Sequence, residues 1–148
     1  MDEIKTLKDV QQFLNNISYI NAGGCGIAAL AMYRWLKQKK KLKKNTCIYF
    51  FYDDHHQYNT NKKYLLSNQG NPTSCSHAVL YHSGKFIDSK DFLYDISRYS
   101  YNTKITDEHF LIESLNNIDD WKSCFERDIE IPKIQKKLNI DLSDINYN

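Results

Sequence analysis

The chain has 148 residues, 41% of them hydrophobic and 26% charged, a balance that suits one globular domain and leaves no room for two independent cores. Tyr (11) and Phe (7) are abundant while Gly (5) and Pro (2) are scarce, which excludes collagen-like, low-complexity and disordered classes. The net charge of +2 offers no argument for nucleic acid, no apolar run approaches the roughly 18 residues of a membrane span, and Met1-Asp2-Glu3-Ile4 does not open a signal peptide. The expectation is a soluble, cytoplasmic protein with neither a membrane nor a nucleic-acid partner.

Thr6-Leu7-Lys8-Asp9 has the form of a capping box with Asp in place of Glu, and Val10, Phe13, Leu14 and Ile17 follow at helical spacing. That predicts an amphipathic helix of about three turns. Asn21-Ala22-Gly23-Gly24-Cys25-Gly26 is a turn feeding Ile27-Ala28-Ala29-Leu30-Ala31-Met32-Tyr33-Arg34-Trp35-Leu36. Apolar residues lie all round this second stretch, so its helix should be central and buried. The lysines that follow, Lys37 and Lys39 to Lys41 with Lys43 and Lys44, suit a solvated helix C-terminus better than a phosphate site.

Residues 46–52, Thr-Cys-Ile-Tyr-Phe-Phe-Tyr, form a β-branched and aromatic run that reads as a strand buried on both faces. Residues 53–76 are polar, the length and character of a binding loop. His77-Ala78-Val79-Leu80-Tyr81-His82 and Lys85-Phe86-Ile87-Asp88 flank Ser83-Gly84, the pattern of a β-hairpin with a two-residue turn. Beyond residue 100, Thr106-Asp107-Glu108 starts a helix carrying Phe110, Leu111 and Leu115. Trp121, Phe125 and Ile129 suggest a short helical or irregular piece, and Pro132 suits the first turn of a last helix continued by Ile134 and Leu138. The order points to an α+β domain.

Three residues carry the chemistry. Cys25 follows two glycines at a helix start, where backbone N–H groups and the helix dipole stabilise an anion and favour a nucleophilic thiolate. Cys47, Cys75 and Cys124 are scattered without a CxxC pair, so all four cysteines read as thiols. The hairpin supplies the partners. With Ser83-Gly84 as the loop, position 81 faces 86 and 79 faces 88, which puts His77 and Asp88 on one face as diagonal neighbours about 7–8 Å apart. A carboxylate on one ring nitrogen fixes the imidazole tautomer and presents the other nitrogen to a nucleophile. One residue more or less in the loop would set them on opposite faces.

Gly23-Gly24-Cys25-Gly26 opening an alanine-rich helix, Ser76-His77-Ala78-Val79 on a strand, and Asp88 after a hairpin together resemble the papain-like cysteine hydrolase superfamily. The likeness is nearest to its compact transglutaminase-like and bacterial cell-wall endopeptidase-like members, and the layout also resembles small phage or bacterial proteins. It covers about residues 6–90, with residues 91–148 a C-terminal helical addition to a single domain. The resemblance implies a central nucleophile-bearing helix packed on a small antiparallel sheet. It makes Cys25 the nucleophile, His77 general base and acid, and Asp88 the orienting residue, with no cofactor. Hydrolysis of an amide or ester in a peptide, protein or small acyl substrate is implied, with transfer to an amine as a variant. The place of action would be the cytoplasm, a host's own if the gene is viral. Papain-type enzymes carry a Gln before the Cys as oxyanion donor. Tyr19 and Asn21 occupy that neighbourhood here, so Asn21, Gly24 and Tyr19 are the expected oxyanion and substrate-binding residues, with Gln11 or Gln12 within reach from the preceding helix.

Other readings compete. His55, His56, Cys75 and His77 could supply four zinc ligands, though their spacing matches no standard zinc arrangement and no metal is expected. The glycine turn lacks both GxGxxG and GK[ST]. Tyr94, Tyr99 and Tyr101 near Arg98 could form a stacking surface or a packed aromatic seam. A catalytically inactive papain-like fold serving as an interaction module is the alternative from another functional class.

Overall fold

The structure, a computed structural model, describes residues 3–52, 77–90, 101–117 and 124–147. Among these it is a mixed α+β arrangement of four helices and one four-stranded antiparallel sheet. Helix α1 (Leu7–Asn15) opens with the expected capping box: Thr6 Oγ1 accepts from the Asp9 N–H, and Asp9 Oδ2 accepts from the Thr6 N–H at 2.9 Å. Helix α2 (Cys25–Gln38) is buried from Cys25 through Met32 and again at Trp35 and Leu36, as an all-round apolar helix requires. It ends with Lys40 in the left-handed region (φ 58°) and the Lys41 N–H on the Leu36 carbonyl, while Lys37 and Lys39 to Lys41 remain exposed.

The sheet order is β3-β2-β1-β4, with β1 (Cys47–Tyr52) and β2 (His77–His82) central and β3 (Lys85–Ile87) and β4 (Tyr101–Ile105) at the edges. Ile48, Phe50, Ala78, Leu80, Ile87 and Ile105 join the helices in the main core. On the opposite face Phe51 and Val79 are buried with Tyr49 and Phe86 against them. The hairpin register is the expected one, Tyr81 opposite Phe86 and His82 opposite Lys85. Its turn is of the primed type, with Ser83 at φ 54° and Gly84 at φ 78°, the geometry whose twist matches the flanking strands.

Two expectations are corrected. Residues 101–105 form β4, paired with β1 from Tyr52↔Tyr101 to Ile48↔Ile105, so the central sheet extends past the boundary drawn near residue 90. Its pattern is a half-buried one, with Thr103 and Ile105 inside and Asn102 and Lys104 outside, and so short an alternation is easily passed over. Pro132 lies not in a first turn but inside the last helix, α4 (Arg127–Leu138), which follows α3 (Glu108–Asn117). Arg127 anchors the earlier start: buried, it donates to the carbonyls of Leu115 and Asn146. The helix therefore begins more than one turn before the proline, whose ring nitrogen has no proton for the ladder. The expectations for Trp121, for the loop 53–76 with His55, His56 and Cys75, and for Tyr94, Arg98, Tyr99 and the side chain of Tyr101 fall outside the described residues. Among the described residues no helix is long and apolar enough to cross a membrane.

Candidate active site

Cys25 is the first residue of α2, with Gly24 as its N-cap. Its N–H therefore lies among the groups that an α-helix leaves without an intrahelical acceptor. The absence of a side chain at 24 is a packing necessity: a Cβ there would sit 2.7 Å from the Ile20 carbonyl oxygen and 2.8 Å from Phe125 Cδ1. Gly24 thus lets the turn carrying Ile20 and the segment before α4 close tightly on the start of α2. Cys25 is 5% exposed.

His77 opens β2, and Asp88 is the first residue beyond β3. His77 Nε2 lies 3.1 Å from Asp88 Oδ2, the side chains being 14% and 16% exposed. The hairpin parity read from the sequence therefore does bring this pair together. Cys25 acts on the same ring, favouring its protonated form. Burial works against a proton on the ring, but Asp88, hydrogen-bonded to it, and Cys25 together outweigh it, raising His77 from 6.5 to about 9. At neutral pH the ring is an imidazolium lying between a carboxylate and a thiol.

Asp88 is itself held. Its Oδ1 accepts the Lys90 N–H at 2.8 Å, a local turn that leaves Oδ2 for the histidine. Its main-chain carbonyl accepts from Gln11 Nε2 on α1 at 2.8 Å. The next residue, Ser89, is 1% exposed and donates its hydroxyl to Asn21 Oδ1 at 3.2 Å.

The structure redistributes the remaining candidates. Gln11 is not available to an oxyanion, because its amide is engaged with Asp88, and Gln12 is exposed on the same helix. Asn21 stands four residues ahead of the nucleophile, exposed, with Oδ1 turned to Ser89 and its NH₂ group left as donor. Tyr19 is 59% exposed and carries φ 62°, a left-handed conformation rare for an aromatic residue, with its carbonyl accepting the Ala22 N–H. Ser89 is the residue sequence reasoning missed, and Gln11, expected within reach of the oxyanion, instead holds the Asp88 carbonyl. The signal for Gln11 was a polar residue on the buried stripe Leu7, Gln11, Leu14.

Among the described residues no group of three or more His, Cys, Asp or Glu is arranged to hold a metal ion. The cavities there include one of about 240 Å³ at Tyr33, Cys47, Ile105 and Glu108 and another of about 460 Å³ at Phe13, Ile17 and Lys133. Neither includes Cys25, His77 or Asp88. In comparisons with known proteins no family model matches the chain, nor does any curated protein or solved structure.

Proposed function

We propose that the protein is a papain-like thiol hydrolase that cleaves an amide or ester bond through an acyl-enzyme. The observation that carries this reading is the imidazole of His77 held by Asp88 at 3.1 Å, with its hold on a proton strengthened as well by Cys25, a thiol at a helix N-terminus. Each part has a chemical use. An imidazolium beside Cys25 stabilises the thiolate, the form that attacks carbonyl carbon. As the S–C bond forms, the carbonyl oxygen becomes an oxyanion. The Cys25 N–H is suited to receive it, with the Asn21 amide as a second donor. His77 then gives its proton to the leaving amine or alkoxide as the C–N or C–O bond breaks. The neutral ring next takes a proton from water, whose oxygen attacks the thioester. Release of the carboxylic acid restores thiolate and imidazolium. An amine in place of water would give acyl transfer from the same intermediate.

The test is iodoacetamide alkylation with the adduct located by mass spectrometry, in the wild type, Cys25→Ser and His77→Ala. Cys25 is expected to react at pH 6, where ordinary thiols are slow, and His77→Ala to remove that advantage by about tenfold or more. Cys25 reacting no faster than Cys124, which is exposed and free, would instead favour an inactive fold used for protein interaction.

A further inference from the structure

Asp88 stands where the sheet stops holding the chain. The edge strand β3 has three residues, and its last ladder pair is Leu80↔Ile87. A carboxylate one residue past the end of a short edge strand would ordinarily fray with it. Here the segment is tied to something else. Gln11, 4% exposed between Val10 and Leu14 on α1, donates to the Asp88 carbonyl at 2.8 Å. Ser89 ties the next residue to Asn21, in the turn that runs into Cys25. Both ties lead to the stretch before and around the nucleophile, and neither leads to the sheet. A buried amide on an apolar helix stripe is costly unless it is hydrogen-bonded, and a Leu or Met at 11 would bury more apolar surface. The hydrogen bond from Gln11 to the Asp88 carbonyl offsets that cost and fixes the segment that carries the carboxylate.

We propose that Gln11 is a positioning residue: its side-chain amide holds Asp88, and through Asp88 the ring of His77, in register with Cys25. This rests on the thiol-hydrolase reading for its purpose, but its geometry stands on the two hydrogen bonds. Gln11 touches neither the thiol nor the imidazole. It sets the frame in which the acid meets the ring, with Ser89–Asn21 as the second anchor. Among the described residues, the titratable groups acting on His77 are Asp88 beyond β3 and Cys25 on α2, so a loosened Asp88 weakens a support for the ring proton.

The test is the ring titration of His77 by NMR in the wild type, Gln11→Met and Gln12→Met, with circular dichroism to establish that each is folded. Methionine keeps the volume of glutamine and removes the donor. Gln11→Met is expected to lower the His77 midpoint by about one pKa unit, a tenfold change in the ratio of protonated to neutral ring, and to slow Cys25 alkylation at neutral pH. Gln12→Met, the same change on the exposed side of the helix, should leave both unaltered. A folded Gln11→Met whose His77 titrates as in the wild type overturns the proposal. Should Gln11→Met not fold, Ser89→Ala, which deletes one oxygen, is read in the same way against the same expectation. The ring titration needs no substrate. Wild-type Cys25 proving inert would therefore sink the hydrolase reading, while the titration alone decides whether Gln11 positions the pair.

Discussion

Replacing Asp88 with Asn keeps the shape of the side chain and removes its charge, and the consequence for His77 follows from the forces on the ring. In the wild type burial opposes the proton, and Asp88 with Cys25 overcomes it, so His77 rises from 6.5 to about 9. That net rise corresponds to about 3 kcal/mol in favour of the charged ring. In Asp88→Asn burial is no longer opposed by the carboxylate charge, and the midpoint should fall by about two units, to about 7. At pH 8 the protonated fraction then drops from about nine-tenths to about one-tenth, and Cys25 alkylation should slow by about tenfold. Because the folded value lies above 6.5, the proton contributes its full stability below pH 6.5, and that contribution is lost as pH rises through about 9. Denaturant unfolding from pH 6 to pH 10 should therefore show a falling stability in the wild type and a flatter profile in Asp88→Asn. The assays are the ring titration by NMR, alkylation rates between pH 5.5 and 9, and unfolding from pH 6 to pH 10. An unchanged His77 midpoint in a folded Asp88→Asn would refute the electrostatic account, and with it the role given to the carboxylate.

Gly24→Ala would set a methyl 2.7 Å from the Ile20 carbonyl oxygen and 2.8 Å from the Phe125 ring, so the turn, the ring or the start of α2 must move. A loss of about 1–3 kcal/mol in denaturant unfolding is expected, together with slower Cys25 alkylation, and a wild-type unfolding curve would mean the contact is softer than described. Thr103 is 1% exposed opposite Phe50, and its hydroxyl has no partner among the described residues. Thr103→Val keeps the β-branched shape and removes the unsatisfied group, and should stabilise the fold by about 1 kcal/mol, read as a melting temperature higher by roughly 2–4 °C. A lower melting temperature would show that the hydroxyl is satisfied after all.

Where local rules decide the structure, the sequence was legible. The Thr6–Asp9 box, the all-round apolar α2 and the aromatic β1 each impose their element by short-range chemistry. The His77–Asp88 contact was readable because a two-residue turn sets the parity of every side chain beyond it. β4 was not, since the run Asn102-Thr103-Lys104 is polar throughout and acquires its inward and outward faces only by pairing with β1. Pro132 suggested a helix start because sequence alone does not show that Arg127 buries itself against the carbonyls of Leu115 and Asn146. The approach of Cys25 to His77 depends on how α2 docks on the sheet, which no local pattern encodes. Gln11 was misassigned for the same reason, being a donor whose acceptor lies 77 residues away.

The spacing of the three site residues along the chain also sets an order in time. His77 and Asp88 are 11 residues apart and are joined by a hairpin, a unit that closes in about 1–10 μs. Cys25 meets them only after the chain between 25 and 77 has been looped and α2 has docked, a non-local step that comes later because its loop-closure entropy must be met first. Sequence separation alone therefore favours the acid–imidazole pair forming before the thiol joins it. A growing or half-folded chain lacks the approach of Cys25 to His77, so on the proposed reading the reactive thiol arises only together with the finished core.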